Sequence, residues 1–383
     1  MNDLDLPLKG IRVLDLTRVL AGPFCTMLLA DLGAEVVKIE RPGGDDARQF
    51  GPFLPSGESA YFAGINRGKK SIILDLKAEV DRATFLKLVV RADVVVENYR
   101  PGTMEAFNLS SEHLRTVNPQ LIYASVSGFG RTGPYRRRPA YDIIVQALGG
   151  LMSITGHDEN DPARVGSSIS DILAGMYTAL SITAGLTRRG RTGTGADLDL
   201  AMLDCTVAIL ENAVSRYAIT GQVPKPLGTR HPSITPFQAF RAADGALVIA
   251  AGNDALWQKL CEVIDAPTLV KDPLLVTNAS RTTNHQYLEQ SLQQAFGKRT
   301  VQDWLDRLLA AGIPAAPIQN VAQVLDDPQL EARDMWHTLT DRDGKTLVTP
   351  GSPVVLDGLK PTLGDTWPLL GEHQEEVLRD WLR

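Results

Sequence analysis

The chain has 383 residues, of which 44% are hydrophobic, and it carries a formal net charge of −6. This length predicts two domains, and the composition is that of an ordinary globular protein. The three cysteines lie far apart and the first residues lack the basic and apolar segments of a secretion signal, so we expect a reducing, cytoplasmic setting. No stretch approaches the ~18 uninterrupted apolar residues of a membrane span, and the basic cluster 136–138 lacks interleaved aromatic residues. Neither a membrane nor a nucleic acid is therefore expected as a partner.

Short apolar runs alternate with helix-length segments through the first half of the chain. Six runs are predicted as strands: IRVLDL (11–16), AEVVKIE (34–40), SIILDL (71–76), DVVVEN (93–98), LIYASVS (121–127) and ADLDLA (196–201). Strands this apolar, separated by helices, predict a mostly parallel sheet covered on both faces. Pro23 suits the first turn of the first helix, and Gly33 suits the left-handed position after it. A long helix is predicted from about Asp171, followed by a hairpin at the turn-rich segment 188–195.

The segment GQVPKPLGTR (221–230) is rich in Pro and Gly, which predicts a linker between domains. After it, FQAFRAADGALVIAAG (237–252) has an Asp-Gly turn between two apolar runs and predicts a hairpin, followed by amphipathic helices. Strand and loop character returns from about Leu339, and the last predicted helix is 372–382. We therefore predict an α/β protein with three consecutive parts: a large domain over 1–220, a smaller α+β domain over 221–330, and a C-terminal return to the large domain over 331–383.

The segment GFGRTG (128–133) matches the G-x-G-x-x-G fingerprint of dinucleotide binding and follows a predicted strand. Pro134 and Pro139 prevent the helix whose N-terminus would hold a pyrophosphate, and no acidic residue follows at the spacing that ribose binding requires. A dehydrogenase is therefore disfavoured. The six histidines form no HExxH or HxxxH pair, so no metal site is expected, and neither a GxSxG elbow nor a P-loop is present.

Segments along nearly the whole chain resemble the class III CoA-transferases, the family of formyl-CoA transferase and the carnitine CoA-transferases. The matching stretches are VLDLTRVLAGP (13–23), LGAEVVKIERPGGD (32–45), NRGKKSIILDLK (66–77), VVVENYRPGTM (94–104), NPQLIYASVSGFGRTGP (118–134), AYDIIVQALGG (140–150), SDILAGMYTAL (170–180) and PLLGEH (368–373). The resemblance implies a Rossmann-like large domain, acyl-CoA and small carboxylic acids as substrates with no further cofactor, and a homodimer of interlocked chains. The segments 228–240 and 251–254 are more similar to the members that act on short dicarboxylates, of the succinyl-CoA–glutarate and acetyl-CoA–oxalate types.

Asp171 matches the aspartate that, in this family, attacks the acyl-CoA thioester and then carries CoA as an aspartyl thioester. It opens the helical run DILAGMYTAL, so the free N–H groups and the dipole of a helix N-terminus can favour its charge. Gly175 lies four residues further on the same face and is expected to leave room for the thiol or the acyl group. From the local residues alone, the favoured interpretation of Asp171 is a helix cap.

The resemblance also implies a set of CoA-binding residues, namely Leu20, Ala21, Arg41, Leu74, Lys77, Asn98, Tyr99, Arg100, Tyr141 and Asp142. Without it, the leucines are interpreted as core and the cations as surface. For Asp142 the alternative is an N-terminal helix cap. Two cations that bind CoA in formyl-CoA transferase fall at Ala106 and Pro139 here. The other phosphate-binding candidates are Lys69, Lys70 and the arginines 136–138.

The same superfamily contains the α-methylacyl-CoA racemases, which have a histidine acid/base where this chain has Tyr141. A tyrosine of ordinary pKa is a poor proton acceptor near neutral pH, so racemisation is disfavoured. It stays an alternative, as does a CoA-binding protein without catalysis. The candidates for holding a second substrate carboxylate are Arg18, Arg48, Arg230 and His231.

Overall fold

The structure is a computed structural model that describes residues 6–383. These residues form two compact units. The larger unit comprises residues 6–151, Arg164–Gly221 and Pro328–Arg383, and the smaller unit comprises Met152–Ala163 and Gln222–Asp327.

The elements of the larger unit, up to residue 221, are β1 (Arg12–Asp15), α1 (Ala21–Asp31), β2 (Glu35–Glu40), α2 (Ala60–Asn66), β3 (Lys70–Ile73), α3 (Glu79–Val89), β4 (Val94–Glu97), α4 (Thr103–Ala106), α5 (Ser111–Val117), β5 (Ile122–Ser127), α6 (Asp142–Leu148), α7 (Ile169–Thr192), β6 (Ala196–Ala201), α8 (Met202–Ala208) and α9 (Asn212–Thr220). The smaller unit follows with β7 (Phe237–Arg241), β8 (Ala246–Ala250), α10 (Asp254–Val263), α11 (Asn278–Thr283), α12 (His285–Phe296), α13 (Val301–Ala310), β9 (Ala315–Pro317) and α14 (Val321–Leu325). The larger unit resumes with α15 (Pro328–Ala332), β10 (Trp336–Thr340), β11 (Thr346–Pro350) and α16 (Gln374–Trp381).

The larger unit is built on one six-stranded parallel sheet with the strand order β3-β2-β1-β4-β5-β6. Val13 of β1 pairs with Val36 of β2 on one side and with Val94 of β4 on the other. The predicted α/β class with a parallel sheet is thereby confirmed, and the strand order is that of a Rossmann-type fold. The order reverses between β1 and β4, so the carboxyl ends of these two strands leave a crevice where proteins of this class bind ligands.

Both faces of the sheet are covered by helices. One face packs against α1 and α7, with a core that includes Val13, Val36, Val94, Ile122, Leu29 and Ile182. The other face packs against α3, α5 and α16, with a core that includes Leu14, Val37, Val95, Tyr123, Phe85, Leu114 and Trp381. Consecutive residues such as Val13 and Leu14 face opposite layers, which is why the strands are apolar throughout.

The segment Met152–Ala163 belongs to the smaller unit, whereas the sequence-based boundary assigned it to the large domain. Two contacts account for the difference. The backbone N–H of Gly228 donates to the carbonyl of Gly156 at 2.9 Å, and Lys225 pairs with Glu159 at 2.6 Å. The sequence pattern around this segment carries no sign of contacts with residues about 70 positions further along.

The hairpin predicted at 188–195 is wrong. α7 continues to Thr192, and Gly193, with a φ of 69°, forms its left-handed C-cap. β6 then pairs in parallel with β5. Arginine is a good helix former, so the helix continues through Gly190 and Arg191 and ends at Gly193, which takes the left-handed conformation.

Among the helices of the described residues, α7 alone is long and apolar enough to cross a membrane, by length and composition. It packs along α1 and against β5, where Gly185 approaches the side chain of Ile122. Lipid does not surround a helix that lies against a sheet, so this packing is that of a core helix. Met176 and Leu180, four residues apart on one face of α7, are nevertheless exposed.

The smaller unit contains a three-stranded antiparallel sheet, β7-β8-β9, packed against helices. The hairpin predicted from the Asp-Gly turn is confirmed as β7 and β8. Trp257, Phe296 and Trp304 form part of its core. The fully buried Arg281 donates to the carbonyl of Thr235 at 2.8 Å, which ties the start of the hairpin to α11.

Candidate active site

Asp171 lies in the first turn of α7, as the sequence predicts. Its side chain is partly buried, and within residues 6–383 its carboxylate has no hydrogen-bond or ion-pair partner. Burial raises the pKa of Asp171 to about 7, and the nearby charge of Asp142 adds to this effect. A carboxylate that has lost part of its hydration and has no partner is available to react as a nucleophile.

Asp142, at the start of α6, is buried rather than open to a ligand. One carboxylate oxygen accepts the backbone N–H of Ser170 at 2.9 Å, and the other accepts the side chain of Gln146 at 2.7 Å. Gln146 in turn accepts the backbone N–H of Val165 at 2.9 Å. Asp142 thus caps the N-terminus of α7 from a neighbouring helix, which is the alternative that the sequence offered, and its contact with CoA stays a prediction.

A cavity of about 180 Å³ opens beside Asp171 at the carboxyl ends of β1, β4 and β5. Its walls include seven of the residues predicted from the sequence: Leu20, Ala21, Asn98, Tyr99, Arg100, Tyr141 and Asp171. The cations Arg18, Arg136 and Arg138 also line it. Because the strand order reverses between β1 and β4, segments that are far apart in the chain meet at this point.

A second cavity, of about 420 Å³, shares Arg18, Tyr99 and Arg100 with the first. The remaining predicted residues, Arg41, Leu74 and Lys77, line this second cavity. The two cavities are therefore neighbours. We call the pair the lane; it extends from Asp171 to the cations Arg41 and Lys77. Of the ten residues predicted to bind CoA, only Asp142 lies outside this lane.

The side chain of Asn98 is engaged by the backbone of Arg18. It accepts the N–H of Arg18 and donates to the carbonyl of Arg18, both at 2.8 Å. The amide thus joins the end of β4 to the loop after β1 and is occupied at both ends. The amide of Asn98 thus holds the wall of the cavity that Asn98 lines, and its contact with CoA stays a prediction.

Several cations that the sequence suggested for phosphate or carboxylate binding are already paired. Lys69 is fully buried and contacts Asp15 at 3.0 Å, while Lys70 pairs with Glu35 and Glu376 at 2.8 and 2.7 Å. Arg48 is bound by Glu40 at 2.6 Å and by the carbonyl of Pro368. Sequence alone did not distinguish them from free surface cations, because their partners come from distant segments.

Arg230 and His231, the other two candidates for a substrate carboxylate, lie in the smaller unit. The Nδ1 atom of His231 accepts the backbone N–H groups of Ser233 and Ile234, at 3.2 and 3.0 Å. This use of Nδ1 in a local turn leaves Nε2 as the ring atom through which His231 can contact a ligand.

The sequence suggested that Gly175 makes room for a ligand, and this expectation is wrong. A Cβ atom on this residue would lie 2.7 Å from the carbonyl oxygen of Ala21 and 3.2 Å from the N atom of Cys25. The missing side chain allows α7 to approach α1 closely. Gly175 thereby fixes the position of the helix that carries Asp171.

The segment 128–133 opens no helix, as predicted, and the next helix begins at Asp142. The N–H of Arg131 donates to Asp199 at 3.0 Å, and its guanidinium pairs with Asp197 at 2.7 Å. The glycines of this segment therefore lie in a loop that Arg131 holds against β6. Within the described residues, no group of three or more His, Cys, Asp or Glu is placed to hold a metal ion.

Two features near the site were missed by sequence reasoning. Tyr61 of α2 has its pKa raised to about 12, by burial first and then by the charge of Asp171, so it lies near the nucleophile. Asp15, Lys38 and Asp45 form a buried polar network beneath the loop after β1. The lysine inside the apolar strand 34–40 was a usable signal, because a charged residue in a strand covered on both faces requires a buried partner.

The fold and the site define a Rossmann-type α/β protein with a partly buried carboxylate, raised in pKa, at the crevice of its sheet. Residues 8–374 match the sequence profile of CoA-transferase family III. The chain belongs to that family and is a CoA-transferase, so the resemblance seen in the sequence is confirmed.

Similar proteins of known activity cover nearly the whole chain. An acetyl-CoA:oxalate CoA-transferase of Acetobacter aceti is 46% identical over 92% of this chain and 90% of its own length. A succinyl-CoA:mesaconate CoA-transferase of Haloarcula hispanica is 44% identical, over 97% of this chain and 95% of its own. The human succinyl-CoA:glutarate CoA-transferase is 38% identical, over 100% of this chain and 87% of its own.

Solved structures agree with this fold. A CAIB/BAIF family protein from Brucella suis superposes with a TM-score of 0.87 and 38% identity, over 98% of this chain and 99% of that one. Rv3272 from Mycobacterium tuberculosis superposes with a TM-score of 0.86 and 35% identity, over 96% of this chain and 98% of that one.

Proposed function

We propose that this chain moves CoA from an acyl-CoA to a second carboxylic acid, with Asp171 as the nucleophile that carries CoA between them. The observation that carries the proposal concerns the Asp171 carboxylate. It is partly buried, it has no partner within residues 6–383, and its pKa is raised to about 7. At neutral pH about half of it is ionised. Burial removes part of the hydration that makes a carboxylate a weak nucleophile in water.

The proposed reaction consists of two acyl-transfer steps at Asp171, which the acceptor acid then repeats in reverse. A carboxylate oxygen of Asp171 attacks the thioester carbon, the C–S bond breaks, and the CoA thiolate leaves a mixed anhydride between the acyl group and Asp171. The thiolate then attacks the Asp171 carbonyl and releases the donor acid as its carboxylate, which leaves an aspartyl-CoA thioester. The acceptor carboxylate repeats the steps in reverse order. No net proton or electron is transferred, so the chemistry requires no metal or redox cofactor.

The lane formed by the two cavities supports the proposed CoA position. The thioester end would lie in the cavity of Asp171, beside Leu20, Ala21 and Tyr141. The nucleotide end would lie in the cavity lined by Arg41, Leu74 and Lys77. Arg100 lines both cavities and is suited to the diphosphate between the two ends, because guanidinium groups pair with phosphate oxygens through two N–H groups.

We propose short dicarboxylic acids as the acid substrates. The relatives named above act on oxalate, mesaconate and glutarate, all of which have two carboxylates. Arg136 and Arg138 line the cavity of Asp171 and offer positive charge to a second carboxylate, whereas Arg18, which also lines it, pairs with Asp46 at 3.4 Å. Such a group would remain bound while the first carboxylate reacts.

We also propose that the chain acts as a homodimer, of the interlocked type that the family resemblance implies. α6 exposes Ile143, Ile144 and Leu148 at 45–49% of their surface, and α7 exposes Met176 at 51% and Leu180 at 62%. Apolar faces of this kind on neighbouring helices are characteristic of contacts between subunits. Light scattering that gives the mass of one chain would contradict the proposal.

The experiment that tests the function measures CoA exchange from succinyl-CoA to glutarate, mesaconate, oxalate and, as a monocarboxylate control, acetate. Asp171→Ala is compared with the wild type and with Asp204→Ala, which alters an exposed aspartate of α8 in the same unit. We expect Asp171→Ala to lose roughly 10³-fold or more of kcat and Asp204→Ala to remain near wild type. Full activity of Asp171→Ala would remove the mechanism.

The intermediate is tested separately by incubating the enzyme with succinyl-CoA and no acceptor. Borohydride should reduce an aspartyl thioester to homoserine at position 171, which peptide mass spectrometry detects. Binding of CoA without exchange or adduct would favour the non-catalytic alternative. Exchange of an α-hydrogen with solvent deuterium, without transfer between acids, would favour the racemase-like one.

A further inference from the structure

Val19, in the loop between β1 and α1, has a φ of 66°, which lies in the left-handed region. A residue branched at Cβ rarely adopts this conformation, because its side chain crowds the following carbonyl. Such strain persists only where the surrounding contacts over-determine the backbone. The loop therefore requires a set of contacts that hold Val19 in place.

Three consecutive residues of this loop are each held by a side chain from another strand or loop. The ammonium of Lys38 donates to the carbonyl of Thr17 at 2.7 Å. Asn98 holds the N–H and the carbonyl of Arg18. The N–H of Val19 donates to the carboxylate of Asp45 at 3.1 Å. Of these contacts, the hydrogen bond to Asp45 is the one that the strained residue, Val19, makes itself.

Asp45 is itself fixed in a buried position. It pairs with Lys38 at 2.9 Å, and the two side chains are 1% and 0% exposed. It also accepts the N–H of Ala47 at 2.9 Å. Burial alone would raise the pKa of Asp45, but the Lys38 ammonium and these hydrogen bonds outweigh it and keep the pKa below its usual value. Asp45 is therefore a charged and rigid acceptor for Val19.

The loop leads directly into the candidate active site. Val19, Leu20 and Ala21 line the same cavity as Asp171. The carbonyl of Ala21 lies against Gly175, one turn after Asp171 in α7. A small displacement of Val19 therefore changes both the wall of the cavity and the contact between α1 and the helix of the nucleophile. Misplacement of reacting groups by about 1 Å is enough to cost about 100-fold in rate.

We propose that Asp45 is a positioning residue for the CoA-transfer reaction, because its carboxylate, neutralised by Lys38, holds Val19 in the left-handed conformation that sets the cavity wall beside Asp171. The proposal rests on the nucleophilic role proposed above for Asp171. Asp45 touches neither the reacting atoms nor, in this arrangement, the cavity of Asp171. Val19 lines the cavity proposed for the thioester end of CoA but not the cavity proposed for the nucleotide end, so the effect should fall on kcat more than on the affinity for CoA.

Asp45→Asn keeps an acceptor of the same shape but removes the charge that pairs with Lys38. We expect kcat to fall about tenfold or more, while the Kd for CoA, measured by calorimetry, stays within about twofold. The second variant is Asp45→Asn combined with Val19→Gly. Glycine adopts a positive φ without being held, so the double variant should recover at least about threefold of the lost kcat. Should Asp45→Asn not fold, the same pair of measurements is made with Lys38→Met added, because no buried charge is then left unpaired.

The matched control is Asp31→Asn, which disrupts another buried ion pair, that with Arg67 at 2.6 Å, in the same unit. It should lower Tm but leave kcat near wild type. A wild-type kcat in folded Asp45→Asn, or a kcat loss that Val19→Gly does not reduce, would overturn the proposal. So would a rise in Kd as large as the fall in kcat. Asp171→Ala is measured in parallel: its full activity would refute the nucleophile, whereas its inactivity beside an active Asp45→Asn would refute the positioning role alone.

Discussion

The carboxylate of Asp142 accepts the backbone N–H of Ser170 at 2.9 Å, so a buried negative charge lies next to the residue that precedes the proposed nucleophile. Asp142 therefore has two effects on α7. It satisfies an N–H group at the start of the helix, and its charge adds to burial in raising the pKa of Asp171. The two effects are separable by a substitution that keeps the acceptor and removes the charge.

Asp142→Asn should move the acid limb of the kcat/KM profile to lower pH. Loss of the neighbouring negative charge lowers the pKa of Asp171, and the reaction requires the ionised form, so activity persists further into the acid range. At pH 6 we expect the variant to retain about two- to threefold more of its own maximal activity than the wild type does. Asp204→Asn is the control. If the acid limb of kcat/KM lay at the same pH in Asp142→Asn as in the wild type, the charge of Asp142 would not be what raises the pKa of Asp171.

Asp171→Asn should make the protein more stable at pH 8. The folded pKa of Asp171, about 7, lies above its unfolded value, so the ionised form destabilises the fold. That cost is fully present above pH 7, shrinks as the pH falls through 7 towards 4, and vanishes once the carboxyl is protonated in both states. We expect about 1–3 kcal/mol at pH 8 and close to none at pH 4, from urea unfolding of both proteins. Equal stability of the two proteins at pH 8 would contradict the raised pKa.

Lys77→Ala and Arg100→Ala should each weaken CoA binding by about tenfold, with kcat at saturation within about threefold of wild type. Both residues line the second cavity, and within the described chain neither side chain has an acidic partner, so their charges are available to phosphate. The salt dependence of Kd should also become smaller. Lys87→Ala, which alters an exposed residue of α3, is the control. An unchanged Kd in both variants would place the nucleotide end elsewhere.

The sheet could be predicted from the sequence because its signal is local. Each strand has to be apolar on both faces, and each is bounded by turn residues such as Gly33, which takes a φ of 99° after α1. The larger and smaller parts could likewise be outlined from the segment 221–230. The pattern did not reveal that Met152–Ala163 joins the smaller unit, because the contacts that decide it come from residues far along the chain.

The site was predictable only in part, for a similar reason. Asp171 stands out only through the family resemblance, since a carboxylate in the first turn of a helix is by itself more simply interpreted as a cap. The roles of Asn98 and Lys69 depend on partners that no local pattern announces, namely the backbone of Arg18 and the carboxylate of Asp15. The sequence therefore identifies which segments meet at the site, while the structure decides which side chains in them remain free. The cytoplasmic setting stays a prediction.

Gly175 and Gly190 lie in the same helix and should respond in opposite ways to alanine. At position 175 a Cβ would lie 2.7 Å from the backbone oxygen of Ala21, which cannot move without displacing α1. We expect Gly175→Ala to destabilise the protein by about 1–3 kcal/mol and to lower kcat, because α7 must shift one turn after Asp171. At position 190 nothing lies within 4 Å of the added atom, so Gly190→Ala should stabilise by about 0.5–1 kcal/mol through helix propensity and leave kcat unchanged. Urea unfolding and initial rates of CoA exchange measure both quantities. If Gly175→Ala were as stable and as active as Gly190→Ala, the close approach of α1 and α7 would not be what sets the position of the nucleophile.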